Sequence, residues 1–204
     1  MIPRVVQLPE GRVWLRVASP TWDDPLDPSY AGKFGGRWNP PGSYPTLYLN
    51  ADVATARMQV DRVLAGSPVA FDDLDDEAYV LVAASLPRAQ SCGQAVTNDG
   101  LRALGLPASY PLDPCGEEVG HDVCRAIGQQ VHDAGLRGLW CRSACTGDGR
   151  GRELAWFPAT ARSTARMLWE EGLPLGAWRH VTRWAELGFD DQPDPAASRI
   201  ASQP

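Results

Sequence analysis

The stretch Gly35-Gly36-Arg37-Trp38-Asn39-Pro40-Pro41-Gly42, followed closely by Thr46-Leu47-Tyr48-Leu49-Asn50, most constrains how this chain can fold. Two glycines allow a positive φ or the close approach of another group. Two prolines and a third glycine end the run as a rigid turn. The apolar run after it predicts a short buried strand. An arginine on such a loop, at the entrance of a strand, is either a solvent-facing turn residue or a planar fork offered to a phosphate or carboxylate. This stretch alone leaves both readings open.

The 204 residues suffice for one domain with a real core, and the split of 44% hydrophobic and 22% charged residues is that of an ordinary globular chain. A net charge of −6 argues against direct nucleic-acid binding through a broad basic face. No apolar run approaches the ~20 residues of a membrane helix, so no membrane association is expected. The five cysteines are odd in number and contain no CxxC pair. With no secretory signal pattern at the N-terminus, they predict reduced thiols in the cytoplasm. Eight tryptophans suggest that some line a cleft, because a buried indole N–H needs a partner.

Along the chain, residues 1–12 read as a lead-in and Val13 to Val17 as a first strand with Trp14 and Arg16 on one face. Arg16 is either a solvent-facing or a ligand-facing cation. Residues 18–34 read as a long irregular loop. Asp52 is placed to cap a helix from Val53 to Leu64. An acidic connection, Asp72 to Glu77, precedes a central strand at Val80 to Ala84. A short helix is expected over Asp99 to Leu104, and an amphipathic one over Val119 to Ala134 with Gly135 as its stop. Gly138 to Ser143 and Glu153 to Phe157 read as a hairpin around a Gly- and Arg-rich turn. Residues 1–189 are expected to form one domain, and 190–204, rich in Asp, Pro, Ala and Ser, a disordered tail.

His121, His132 and His180 are scattered and no Cys/His cluster has metal spacing, so no metal site is expected. There is no GxSxG, GxxxxGK[ST] or GxGxxG. What remains is a distributed set: Arg16, Arg37, Tyr48, Gln59 and Ser143. In the order WLRV, GGRWNPPG, TLYLN, an alanine-rich helix, then RSA and ELAWF, the set resembles the RES domain over residues 13 to 160. The resemblance implies a compact α+β fold akin to ADP-ribosyltransferases, with central mixed or antiparallel sheets and flanking helices around a cleft for NAD. NAD is then a substrate, with no prosthetic group. It also implies a toxin paired with an Xre-type helix-turn-helix antitoxin, cleaving the nicotinamide–ribose bond by phosphorolysis or hydrolysis.

Carried over by motif, Arg37, Tyr48 and Ser143 match family positions, and Arg16 matches the arginine of the first strand. Arg16, Arg37, Trp38, Asn39, Tyr48 and Ser143 are then expected around NAD, with Arg37, Tyr48, Gln59 and Ser143 at the chemistry. The family glutamate falls at Gln59. Glutamine can orient a ribose hydroxyl but cannot supply charge to an oxocarbenium-like centre. Three consequences stand open. Another acid (Asp52, Asp61 or, best placed, Glu153) serves instead; or the site works slowly by positioning alone; or the chain binds the nucleotide as a regulatory module without cleaving it. Transfer of ADP-ribose to a protein is a further, weaker alternative.

Overall fold

The computed structural model describes residues 2–160 and 165–196. Among these the chain runs β1 (Val5–Leu8), β2 (Val13–Ala18), α1 (Ser29–Phe34), β3 (Leu47–Asn50), α2 (Val53–Val63), β4 (Val80–Ser85), β5 (Gln90–Ala95), α3 (Asn98–Ala103), α4 (His121–Asp133), β6 (Gly138–Arg142), β7 (Arg152–Trp156), β8 (Arg166–Met167), β9 (Leu173–Pro174) and α5 (Leu175–Trp178). The strands form one sheet in the order β1-β5-β6-β7-β3-β2-β4-β8, with β9 also on β4. The β5–β6 pair is parallel and the other named pairs are antiparallel, so the fold is α+β with a mixed sheet.

The sheet is curled. β2 and β6 lie three strands apart, which on a flat sheet is about 14 Å. Yet Trp14 on β2 and Trp140 on β6 meet edge to face with ring centroids 5.4 Å apart. Their alternation partners Leu47, Leu49, Val82, Leu154 and Trp156 complete this inner core. The opposite face is covered by helices. Val53, Ala56 and Val60 of α2 pack on Leu15, Val17, Leu81 and Ala83, while Cys124, Ile127 and Val131 of α4 pack on Leu139, Cys141 and Ala155. Trp14, Trp38, Trp140, Trp156 and Trp178 are fully buried in the core, while Trp22 lines a cavity, so some tryptophans fill the core and at least one lines a cleft.

Local chemistry explains the helix starts. Asp52 accepts the Thr55 N–H at 2.7 Å as the cap of α2, as its position predicts. Thr97 does the same for Gly100 at the start of α3. Strands β1 and β5 have no counterpart in the sequence reading, and the loop read over residues 18–34 ends in α1. The segment expected to begin a disordered tail is docked as far as Ala196. Gln192 accepts the Val13 N–H at 3.1 Å, the Pro193 carbonyl accepts from Arg12, and Asp194 accepts the Trp140 indole N–H at 3.3 Å. Residues 197–204 lie outside the described residues. No described helix is long and apolar enough to cross a membrane.

Candidate active site

The loop after α1 is built to hold Arg37 still. Gly35 takes φ 78°, and the Gly36 N–H closes a tight turn onto the Asn39 carbonyl at 3.0 Å. Asn39 is fully buried and donates to the Ala31 carbonyl at 2.6 Å, while its Oδ1 accepts from the Tyr48 hydroxyl at 2.9 Å. The Tyr48 hydroxyl also accepts the Trp38 N–H at 2.8 Å. A Cβ on Gly36 would stand 2.4 Å from that hydroxyl, so the tyrosine ring seats directly on the glycine. From the other side, Arg125 of α4 donates to the Gly36 carbonyl at 2.9 Å, and Gly128 gives the Trp38 carbonyl room, since a Cβ there would stand 1.7 Å away.

Arg37 is buried. Its Nη1 donates to the Val119 carbonyl at 2.9 Å and to Cys124 Sγ at 3.4 Å, and its other terminal nitrogen pairs with Glu118. It borders a cavity of about 230 Å³ lined by Gly36, Tyr48, Leu49, Asn50, Gln59, Ala144, Cys145 and Glu153. Strand register assembles this wall. Asn50 of β3 lies opposite Glu153 of β7, and Cys141 of β6 lies opposite Glu153 on the other side. Alternation turns Tyr48 and Asn50 to the helix side of the sheet, away from Leu47 and Leu49.

Glu153 is the carboxylate of the site. Its Oε2 accepts from Ser143 Oγ at 2.9 Å. Burial pushes its carboxyl above the ordinary range, opposed by the Ser143 hydrogen bond, the Arg37 charge and the nearby Trp38 indole N–H. Asp52 is occupied as a helix cap and Asp61 is exposed on the far side of α2, so neither competes for this role. Burial likewise raises the Tyr48 phenol, which therefore acts as a neutral hydrogen-bonding group.

The structure brings Arg37, Tyr48 and Gln59 into one pocket, with Ser143 behind it. Gln59 Oε1 accepts from Asn50 Nδ2 at 2.7 Å, so its amide is part of the wall. Ser143 is fully buried and lies behind Glu153, also accepting the Cys145 N–H at 3.2 Å, and thus positions the carboxylate rather than facing the cavity. Trp38 and Asn39, expected as ligand contacts, are fully buried supports of the loop. Arg16, expected beside Arg37, is apart from it. Alternation puts Arg16 on the inner, Trp14 face of the sheet, where it borders a separate cavity of about 380 Å³ with Trp22, Asp23, Asp24, Asp27 and Tyr30. Its guanidinium lies 5.5 Å from the Trp22 ring centroid, and burial lowers it to about 10 against the pull of Asp24 and Asp27. Asn50 and Cys145 escaped the sequence reading. The alternation of LYLN could have indicated Asn50, whereas Cys145 depends on a turn that carries no periodic signal.

A curled mixed sheet with outer helices, and a small polar pocket in which an arginine loop overlooks one half-buried carboxylate, define an α+β protein with one candidate site. Residues 10–175 match the RES domain, and the chain belongs to the RES domain family. No curated protein matches it in sequence. In fold it is similar to a chain in the crystal structure of the M. tuberculosis MbcT–MbcA toxin–antitoxin complex, with a TM-score of 0.66 and 22% identity over 87% of this chain and 91% of that one. At that identity the likeness bears on the fold alone.

Proposed function

We propose that this protein cleaves NAD at the nicotinamide–ribose bond, as an NAD glycohydrolase or phosphorylase of the RES toxin type, with Glu153 in place of the absent Gln59 charge. The observation that carries the reading is the half-buried Glu153 carboxylate in the same pocket as Arg37, Tyr48 and Gln59. As the C1′–N bond breaks, its electron pair leaves with nicotinamide and positive charge develops on the ribose. A fixed carboxylate nearby stabilises that charge, and the oxygen of water or phosphate then bonds to C1′. Ser143 holds the carboxylate in place and Arg37 offers its fork to the substrate's phosphates. Tyr48 borders the nicotinamide, and the Gln59–Asn50 amide pair orients ribose hydroxyls.

The family and the toxin–antitoxin neighbour support a toxin held in check by an antitoxin protein; we assign that partner to the Xre type on the motif resemblance alone. The five cysteines are all free, which suits a reducing cytoplasm. The test is nicotinamide release from NAD by the purified chain, with and without phosphate. Release that is lost in Glu153→Gln supports the reading, and binding without release overturns it.

One observation favours a second reading, a binding module. The residue facing the cavity from α2 is a neutral amide, Gln59, whose oxygen already accepts from Asn50. If the native chain binds NAD without releasing nicotinamide and Gln59→Glu alone restores release, the module reading holds.

A further inference from the structure

Glu118 precedes α4 in a tight loop, where the Asp113 N–H reaches the Glu117 carbonyl at 2.6 Å and the Val119 N–H reaches the Pro111 carbonyl at 3.0 Å. One Glu118 oxygen pairs with Arg37 and the other with Arg62 of α2. Two guanidiniums gripping the two oxygens of one carboxylate is the geometry with which arginines hold a phosphate. Arg37 does not need Glu118 to stay in place, because its Nη1 is tied independently to Val119 and Cys124. The pair also sits on a boundary. Arg37 borders the cavity of about 230 Å³, whereas Glu118 borders a neighbouring one of about 610 Å³ lined with Arg102, Leu106, Pro107, Val119 and Val123. The smaller space is below the ~300–1,000 Å³ usual for a ligand larger than a fragment.

We propose that Arg37 and Arg62 form a diphosphate-binding clamp in which Glu118 is the resident stand-in anion, and that a dinucleotide enters by displacing it. This deepens the NAD reading and rests on it for the identity of the dinucleotide. The clamp itself is tested with inorganic pyrophosphate, which has no glycosidic bond, so the result is independent of nicotinamide release.

Isothermal titration of the full chain with pyrophosphate is expected to give about tenfold tighter binding in Glu118→Gln, the worth of one charge-assisted hydrogen bond no longer contested. Adding Arg62→Gln to that variant is expected to remove the gain. Unchanged or weaker binding in Glu118→Gln overturns the proposal, and so does an Arg62→Gln change without effect in the Glu118→Gln background. Should Glu118→Gln not fold, the wild-type chain still decides. Hydrogen exchange over residues 113–120 is expected to quicken on saturation with pyrophosphate, and exchange that is unchanged or slowed overturns the displacement.

Discussion

A carboxylate with little access to water is held against a desolvation penalty, and Glu153, half-buried in the pocket wall, is such a group, retained by the Ser143 hydroxyl and the charge of Arg37. Two outcomes follow at the residue level. Glu153→Gln should lower nicotinamide release on the order of 10²–10³-fold, the worth of one charge ~4 Å from the reacting carbon at an effective dielectric of ~20. The ionised form does this work, so wild-type activity should fall as pH drops through the raised Glu153 pKa, and a pH–rate profile checks the direction. The same substitution should stabilise the fold. A carboxyl whose folded pKa is raised favours the folded state below its ordinary value and loses that contribution as pH rises through the folded pKa. Melting curves should therefore show Glu153→Gln about 2–4 °C above wild type at pH 8, for ~1 kcal/mol in a chain of this size, with the difference vanishing below about pH 4.5. From the sequence, Gln59 identified a missing charge and Glu153 was the best placed of three acids. That it lies opposite Asn50 depends on β3 pairing with β7, a contact about a hundred residues apart that no local pattern encodes.

At the level of elements, α4 is as much part of the site as the Arg37 loop. Its glycine at 128 admits the Trp38 carbonyl, its Arg125 ties Gly36 and its Cys124 meets Arg37. Gly128→Ala would improve helix propensity by about 1 kcal/mol in isolation. Here the added methyl meets a backbone oxygen that cannot yield cheaply. The melting temperature should drop about 5 °C or more, with nicotinamide release reduced because the loop is displaced. Asp52→Ala, which removes only the α2 cap, should cost about 3 °C.

The elements that were legible in the sequence are those with strong local signals: the Asp52 cap, the LYLN strand, the β6–β7 hairpin and the apolar stripe of α2. Strand β5, Gln90–Ala95, reads QSCGQA and has no apolar alternation. It is a strand because β1 and β6 flank it. In α4, Val123 is 45% exposed and the smaller Cys124 carries the buried face with Ile127 and Val131, so hydrophobicity alone misplaces the stripe by one residue.

At the level of the whole molecule, Arg16 on β2 and Arg37 in the loop before β3 belong to one motif set yet border separate cavities, because alternation turns Arg16 to the inner face of the curled sheet. The order of motifs along the chain revealed the family, but which face each side chain takes was set by alternation on a surface whose curvature was not readable. Residues 190–196 close one end of the curl over Arg12, whose guanidinium lies 4.8 Å from the Trp14 ring centroid and 5.5 Å from that of Trp140. A chain ending at Phe189 should melt about 5 °C lower. Its turnover should be unchanged, because none of the residues lining the pocket comes from that segment.

The pairing of β3 with β7 also bears on when the protein acquires its chemistry. The pocket draws on residues from Gly36 to Glu153, so a chain still on the ribosome has its arginine loop exposed long before its carboxylate has been made. At ~5–20 residues per second, the hundred or so residues between Asn50 and Glu153 take about 5–20 s to synthesise. Throughout that interval the proposed site lacks its carboxylate, which is placed only once β7 slots between β3 and β6.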